Sequence, residues 1–226
     1  MRTLNVLIAC ECSGAIRREF RALGHNAYSC DLKPAEDGSE FHIQGDAIAA
    51  ILAGCPSGGK WDLVIAHPVC TRLANSGVLR LYKGGKKCNG IDPVKWEEMR
   101  KGAKFFGEIM GACTHRGIAC ALENPIQHGY AIGEHGCGRP DQIIQPHDFG
   151  DNASKATGLW LVGLPNLRST TPFPPRIVNG KPRWSNQTDS GQNRLTPSDH
   201  RAADRSRTYP GIARAMAEQW SAYLSR

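Results

Sequence analysis

Hydrophobic and polar positions along this chain switch repeatedly between short apolar runs and helical periods. Residues 4–10, "LNVLIAC", are mostly apolar and rich in branched side chains, the pattern of a buried strand. After a turn at "ECSG", Ile16, Phe20 and Leu23 recur at helical spacing and Gly24 ends the helix. "NAYSCDL" reads as a second strand ending at Asp31, and "FHIQGDA" as a third ending near Asp46. Residues 47–53 predict a short helix, "CPSGGK" a loop and "WDLVIA" a fourth strand. Asp92 is placed to N-cap a helix with Pro93 in its first turn. In that helix Trp96, Met99, Ala103, Phe106, Met110 and Cys113 keep one stripe facing a core. "GIACALENP" is a fifth strand stopped by Pro125, with "DQIIQ" and "GLWLVG" as two more candidates. Residues 164–192, rich in Pro, Asn, Ser and Thr, read as loop or a small irregular insert. A last helix starts at Pro210 and carries Ile212, Met216, Trp220, Tyr223 and Leu224 on one side.

Strands that alternate with helices predict an α/β fold, a mostly parallel sheet with helices on both faces. A chain of 226 residues suits one domain and can bury a core without disulfides. No apolar run approaches the roughly 20 residues of a membrane span, and the N-terminus lacks the pattern of a secretory signal. A cytosolic protein without membrane contact is therefore expected. The nine cysteines form no ladder, and Cys10, Cys113 and Cys120 lie in apolar runs, which suits reduced core thiols. "CEC" at 10–12 and "CTH" at 113–115 lack a second paired-cysteine motif, so no metal site is expected.

A net charge of +7 attracts polyanions, nucleic acid first, and simple solubility explains the charge alone equally well; the positions of the cations add to it. Arg72, Arg80, Lys83, Lys86, Lys87 and Lys95 crowd the segment after Cys70, where Gly84, Gly85 and Gly90 would make the chain pliable.

In an open α/β sheet, ligands collect outside the carboxyl ends of the strands. Here those ends offer Glu11, Cys12, Ser13 and Gly14; then Asp31; then Gly45 and Asp46; then His67, Pro68, Cys70 and Thr71; then Glu123, Asn124 and Pro125. Each alone has a plain explanation. Asp46 can cap the helix after it, Glu123 and Asn124 can be turn residues, and a single cysteine is more often a buried thiol than a nucleophile. Together they suit one chemistry. An acid after the second strand can hold ribose hydroxyls. A thiolate can add to an electron-poor ring carbon, and a glutamic acid can protonate the ring it attacks.

The order of these motifs resembles the DNA cytosine-5 methyltransferase family, particularly its short phage-type members, over almost the whole chain. "VLIACECSG" is similar to the family's first cofactor-binding turn, and Asp31 and "GDA" at 45–47 stand at its ribose- and adenine-binding acids. "HPVCT" resembles the Pro-Pro-Cys loop that carries the nucleophile, and "ENP" at 123–125 the Glu-Asn-Val motif. "DFGDNASKATGLWLVG", "RLTPSDHRAADR" and "TYPGIARAMAEQW" resemble the later motifs, the last being a helix that folds back onto the cofactor. The resemblance implies a Rossmann-like methyltransferase fold and S-adenosylmethionine as donor, held by Glu11, Cys12, Ser13, Gly14, Asp31, Asp46, Pro68 and Tyr209. It implies attack of Cys70 on ring carbon 6 of a cytosine in DNA, with Glu123 at ring nitrogen 3 and methyl transfer to carbon 5. A base in duplex DNA would have to flip out first. Arg72, Arg80, Lys83, Lys86 and Lys87 would close over the site against phosphates.

The chain also departs from the family pattern. Cys10 and Cys12 replace the Phe and first Gly of Phe-x-Gly-x-Gly, and Val69 replaces the second proline before the cysteine. Lys155 is the cation left where the family has a Gln-x-Arg-x-Arg motif. Only residues 164–192 stand in place of a target-recognition domain, so short or relaxed sequence recognition is expected. Two other activities stay open: a methyltransferase acting on a free pyrimidine nucleotide such as dCMP, and a catalytically inactive nucleic-acid-binding protein on the same fold.

Overall fold

Seven strands build the main sheet of the computed structural model, which describes residues 2–194 and 207–226. They are β1 (Asn5–Ala9), β2 (Asn26–Asp31), β3 (His42–Gln44), β4 (Leu63–Ala66), β5 (Ala119–Pro125), β6 (Gln142–Ile144) and β7 (Thr157–Val162). Their order across the sheet is β3-β2-β1-β4-β5-β7-β6. All run parallel except β7, which is antiparallel to both its neighbours. The order reverses between β1 and β4, and that reversal opens the crevice where doubly wound sheets take their ligands.

Helices cover both faces, as alternating elements predict. On one face Ile16 and Phe20 of α1 (Ala15–Ala22) and Ile212, Met216 and Trp220 of α5 (Pro210–Leu224) pack on Val6, Ile8, Leu63, Ile65 and Ala121. On the other, Ile51 of α2 (Ala47–Ala53) and Phe106, Ile109 and Cys113 of α3 (Pro93–His115) pack on Leu7, Ala9, Val64, Ala66, Cys120 and Leu122. Strand residues thus alternate between two cores, and this explains why the runs are apolar throughout.

Local signals set several boundaries. Asp46 caps α2 through Ala49 N at 2.8 Å, and Asp92 caps α3 through Lys95 N at 3.3 Å. Gly24 follows α1 with φ +83°, donating to the Arg21 carbonyl, a conformation that a Cβ would strain. Three helical positions differ from the expected stripes. Leu23 and Tyr223 are 41% and 43% exposed, because each sits at the very end of its helix, past the sheet. In α3 Ile109 is fully buried where Met110 is only half-buried, a rotation of one position in the stripe.

Residues 164–192 are not wholly irregular. They contain a hairpin of β8 (Arg176–Val178) and β9 (Lys181–Arg183), turned at Asn179 and Gly180 with φ of 49° and 73°. Both turn residues are left-handed, as in the twisted two-residue turn that Asn-Gly favours. The basic segment after Cys70 is also more structured than a pliable loop. It winds through short 3-10 turns at 75–81, 83–85 and 87–89. Leu73, Leu81 and Tyr82 anchor it on Met99 and Ala103 of α3 and Ala131 of α4 (Gly129–His135). Its glycines serve the turns: Gly84, Gly85 and Gly90 all take positive φ. The stretch "RLTPSDHRAADR" lies almost wholly outside the described residues.

His25 couples this fold to pH. It is 4% exposed, its Nδ1 accepts from Leu4 N at 3.2 Å, and its Nε2 has no partner. Burial holds its pKa below the ordinary histidine value of 6.5. Burial likewise lowers His135. As pH falls below about 6.5 the unfolded chain binds these protons before the folded one does. Stability is therefore expected to drop between about pH 7 and pH 5, seen as a falling denaturant midpoint. His25→Asn should flatten that slope; an unchanged slope would exclude His25 as its source.

Candidate functional site

The carboxyl ends of β4 and β5 carry the candidate residues Cys70 and Glu123, and two side-chain bonds lock these ends together. The register pairs Ala66 with Leu122, so one step further His67 faces Glu123. Their side chains meet at 2.8 Å, His67 Nδ1 to Glu123 Oε2, each 11% exposed. Asn124 then donates its Nδ2 to the Pro68 carbonyl at 2.8 Å. The backbone of His67 is itself held by β1, its N–H donating to the Ala9 carbonyl at 3.0 Å. From this braced point the chain turns, and the Cys70 carbonyl accepts from Leu73 N and Ala74 N. Cys70 is half-buried, Pro68 is buried, and Val69 projects outward at 53% exposure.

Glu123 sits in an electropositive setting. Burial raises its pKa, but the hydrogen bond and charge of His67, the charge of Lys155 and a bond from Thr157 outweigh that. The net shift is downward, so the carboxyl is ionised at neutral pH. Lys155, Thr157, Tyr209 and Ile212 line a cavity of about 10 Å³ beside it, room for one water-sized group. Tyr209 is the N-cap of α5, and burial followed by the charge of Asp151 raises its phenol pKa. Lys155 and Tyr209, from two distant segments, therefore meet beside Glu123.

The remaining predicted residues line the ends of β1, β2 and β3. Glu11 is 7% exposed, and its Oε1 accepts from Ile16 N at 3.2 Å and Ser13 Oγ at 2.9 Å. A carboxylate thus already sits at the N-terminus of α1, and its second oxygen, Oε2, is buried without a partner. Asp31 accepts from Lys33 N at 2.9 Å, and Asp46 from its capping bond. Cys10 ends β1 in the left-handed region at φ +59°, a strained conformation for a residue with a Cβ. Burial, then the charges of Asp31, Cys30 and Asp46, push its thiol up to about 12. Burial, then Asp31 and Glu36, raise Cys12 as well. Both stay protonated, and so poor nucleophiles.

Gly14 takes φ +67°, and a Cβ there would collide with the Arg17 side chain. Arg17 is 1% exposed, bonded to Ser29 Oγ at 2.7 Å and to Asp37. Glu36 bridges the turn and the start of α5: it approaches Cys12 Sγ at 3.7 Å and accepts from Arg207 at 2.7 Å.

No family model and no curated protein matches the chain. The site is therefore read from its own geometry.

Of the cations expected to meet phosphates, Arg80, Lys83, Lys86 and Lys87 are exposed on the 3-10 segment. No acidic residue interrupts the chain between Asp62 and Asp92. Arg72 is different, half-buried and paired with Glu98 at 2.7 Å. The hairpin insert packs beside Lys155: Asn186 exchanges hydrogen bonds with both the N–H and the carbonyl of Ser154. Trp184 stacks on His147 at 4.0 Å.

Sequence reasoning gave no role to His67 or Asn124 beyond their place at strand ends. Strand parity was the available signal for His67, since positions 65, 67, 121 and 123 fall on one face. A larger surface cleft of about 510 Å³ between α3 and α4 is lined by charges of both signs, including Arg100, Lys104 and Glu134. It shares no residue with the strand-end site. Among the described residues no cluster could hold a metal ion, and no helix is long and apolar enough to cross a membrane.

Proposed function

We propose that this chain transfers a methyl group from S-adenosylmethionine to carbon 5 of cytosine in DNA, through a covalent adduct on Cys70. The observation that carries the reading is the pair of bonds, His67 to Glu123 and Asn124 to Pro68, that brace the Cys70 turn against Glu123. A nucleophile and a carboxyl group held on adjacent strand ends are the parts that addition to a pyrimidine needs.

The rim beside them favours a cationic cofactor. In dinucleotide-binding sheets the first helix N-terminus receives a pyrophosphate. Here Glu11 already occupies that end of α1 with its own carboxylate. Glu11, Asp31 and Asp46 make the rim acidic, and the partnerless Glu11 Oε2 wants a donor. That donor set fits a nucleoside bearing a sulfonium and an ammonium group better than a pyrophosphate. When bound, the cofactor supplies an electrophilic methyl group. Asp31 and Asp46 would hold its nucleoside, the turn from Glu11 to Gly14 its charged chain, and Pro68 would flank it.

The chain's own residues then divide the work. Cys70 supplies the thiolate that adds to ring carbon 6. Glu123 takes a proton from solvent and gives it to ring nitrogen 3 as Cys70 adds, and Lys155 steadies the carboxylate that remains; after methyl transfer, loss of the carbon-5 proton to a base and β-elimination release the Cys70 thiolate. Arg80, Lys83, Lys86 and Lys87 present an acid-free surface to the phosphate backbone. The compact hairpin suits short or relaxed recognition, and the thiols suit a reducing cytosol.

The test is incubation with labelled S-adenosylmethionine and DNA containing 5-fluorocytosine. A covalent adduct is expected with the native protein and none with Cys70→Ala; an adduct on the alanine variant, or none on either, overturns the reading. A free pyrimidine nucleotide is the second substrate to compare, because the insert is a hairpin and not a domain. Faster methyl transfer to dCMP than to DNA would select it. Binding of DNA without any binding of S-adenosylmethionine would select the inactive alternative.

A further inference from the structure

We propose that His67 is the positioning residue of Glu123: its Nδ1–H fixes one carboxylate oxygen, so that the carboxyl group is held facing the ring edge of the substrate. The substrate in this statement rests on the methyl-transfer reading, whereas the His67–Glu123 pair does not.

Three observations support it. The bond is short, at 2.8 Å, and joins two side chains that are each 11% exposed, so little water competes for it. The backbone that carries the imidazole is fixed from behind, because the His67 main-chain N–H is bonded to the Ala9 carbonyl of β1. His67 therefore spans three adjacent strands at the reversal of strand order. Last, His67 Nε2 is buried and has no partner among the described residues, so the bond to Glu123 is the ring's one hydrogen bond there. A carboxylate free to swing about its χ angles would lose much of its reach toward a flat ring held at one distance; misplacement by about 1 Å costs on the order of 100-fold in rate.

The titratable groups acting on Glu123 are His67 from β4 and Lys155 from the approach to β7, with Tyr209 of α5 lining the same cavity. The His67 hydrogen bond is thus the foremost influence that lowers the carboxyl pKa, and removing it should be readable in the free protein.

The experiment compares His67→Asn, which keeps a donor near the Nδ1 position, with His67→Ala, which removes it. In protein carrying carbon-13 in its glutamate carboxyls, the Glu123 resonance is expected to titrate at clearly higher pH in His67→Ala and close to native in His67→Asn. Adduct formation with 5-fluorocytosine DNA is expected to slow about 100-fold in His67→Ala and to recover to within a few-fold of native in His67→Asn. The loss should lie in kcat and not in KM. Native behaviour of His67→Ala in both readouts overturns the proposal, as does a His67→Asn variant that folds but fails like the alanine. If the native protein itself forms no adduct, the methyl-transfer reading falls, and the carboxyl titration alone decides the pair.

Discussion

Glu123→Gln is expected to slow adduct formation between Cys70 and 5-fluorocytosine DNA by about 100- to 10,000-fold, with the fold intact. The amide keeps the shape of the carboxyl, and its oxygen can still accept from His67 Nδ1, so the brace between β4 and β5 survives. What it loses is the charge that faces His67 and Lys155 and the ability to exchange a proton at the ring. The variant thus separates chemistry from packing. Rapid-quench measurement of adduct at neutral pH reads the first, and thermal melting reads the second. A variant that forms adduct at the native rate would remove Glu123 from the reaction. A large fall in melting temperature would mean that its charge is mainly structural.

Gly211→Ala is expected to destabilise the protein by about 2–3 kcal/mol, the upper part of the range for forcing extra volume into packed structure. Gly211 lies in the first turn of α5, and a Cβ there would overlap the Phe149 carbonyl oxygen and stand 2.8 Å from Asp151 Oδ2. The obstacle is backbone, which cannot step aside as a flexible side chain does. Gly211 N also donates to Asp151 Oδ2 at 3.0 Å, so the same change weakens the bond that seats the helix start. Burial raises the Asp151 pKa while the Gly211 bond and Arg214 lower it, a sign of how enclosed the contact is. For a chain of this length the loss corresponds to roughly 4–12 °C in melting temperature. Because Tyr209 precedes this turn and lines the cavity beside Glu123, adduct formation should weaken as well. A melting temperature within a degree of native would show that the helix start yields at no cost.

The two variants probe parts of the molecule that differ in how far they can be read from the chain. Cys70 and Glu123 are legible because each ends an apolar run, and an open α/β sheet collects its ligands at such ends. Asp46 and Asp92 are legible as caps, since capping depends on a side chain and an N–H only three residues away. The hairpin has a local signal too, Asn179-Gly180 between "RIV" and "KPR", but the prolines and polar residues around it mask that turn. The short helix Gly129–His135 had no such signal, with two glycines in seven residues and no apolar stripe.

The sequence by itself determined the kind and order of the elements: apolar runs of strand length, helical stripes and the residues that start and stop them. These rest on interactions spanning a few residues, which local chemistry encodes. Tertiary structure alone decided which strand lies beside which, and so which side chains meet. The pairing of His67 with Glu123 spans 56 residues, and so does that of Asn124 with Pro68. Both depend on the register of two parallel strands joined by a long crossover, and a slip of one residue would turn each side chain to the other face. That register is set by the packing of two helical layers against the sheet. A motif can therefore point to a nucleophile, but the bonds that aim it appear only when the whole core has formed.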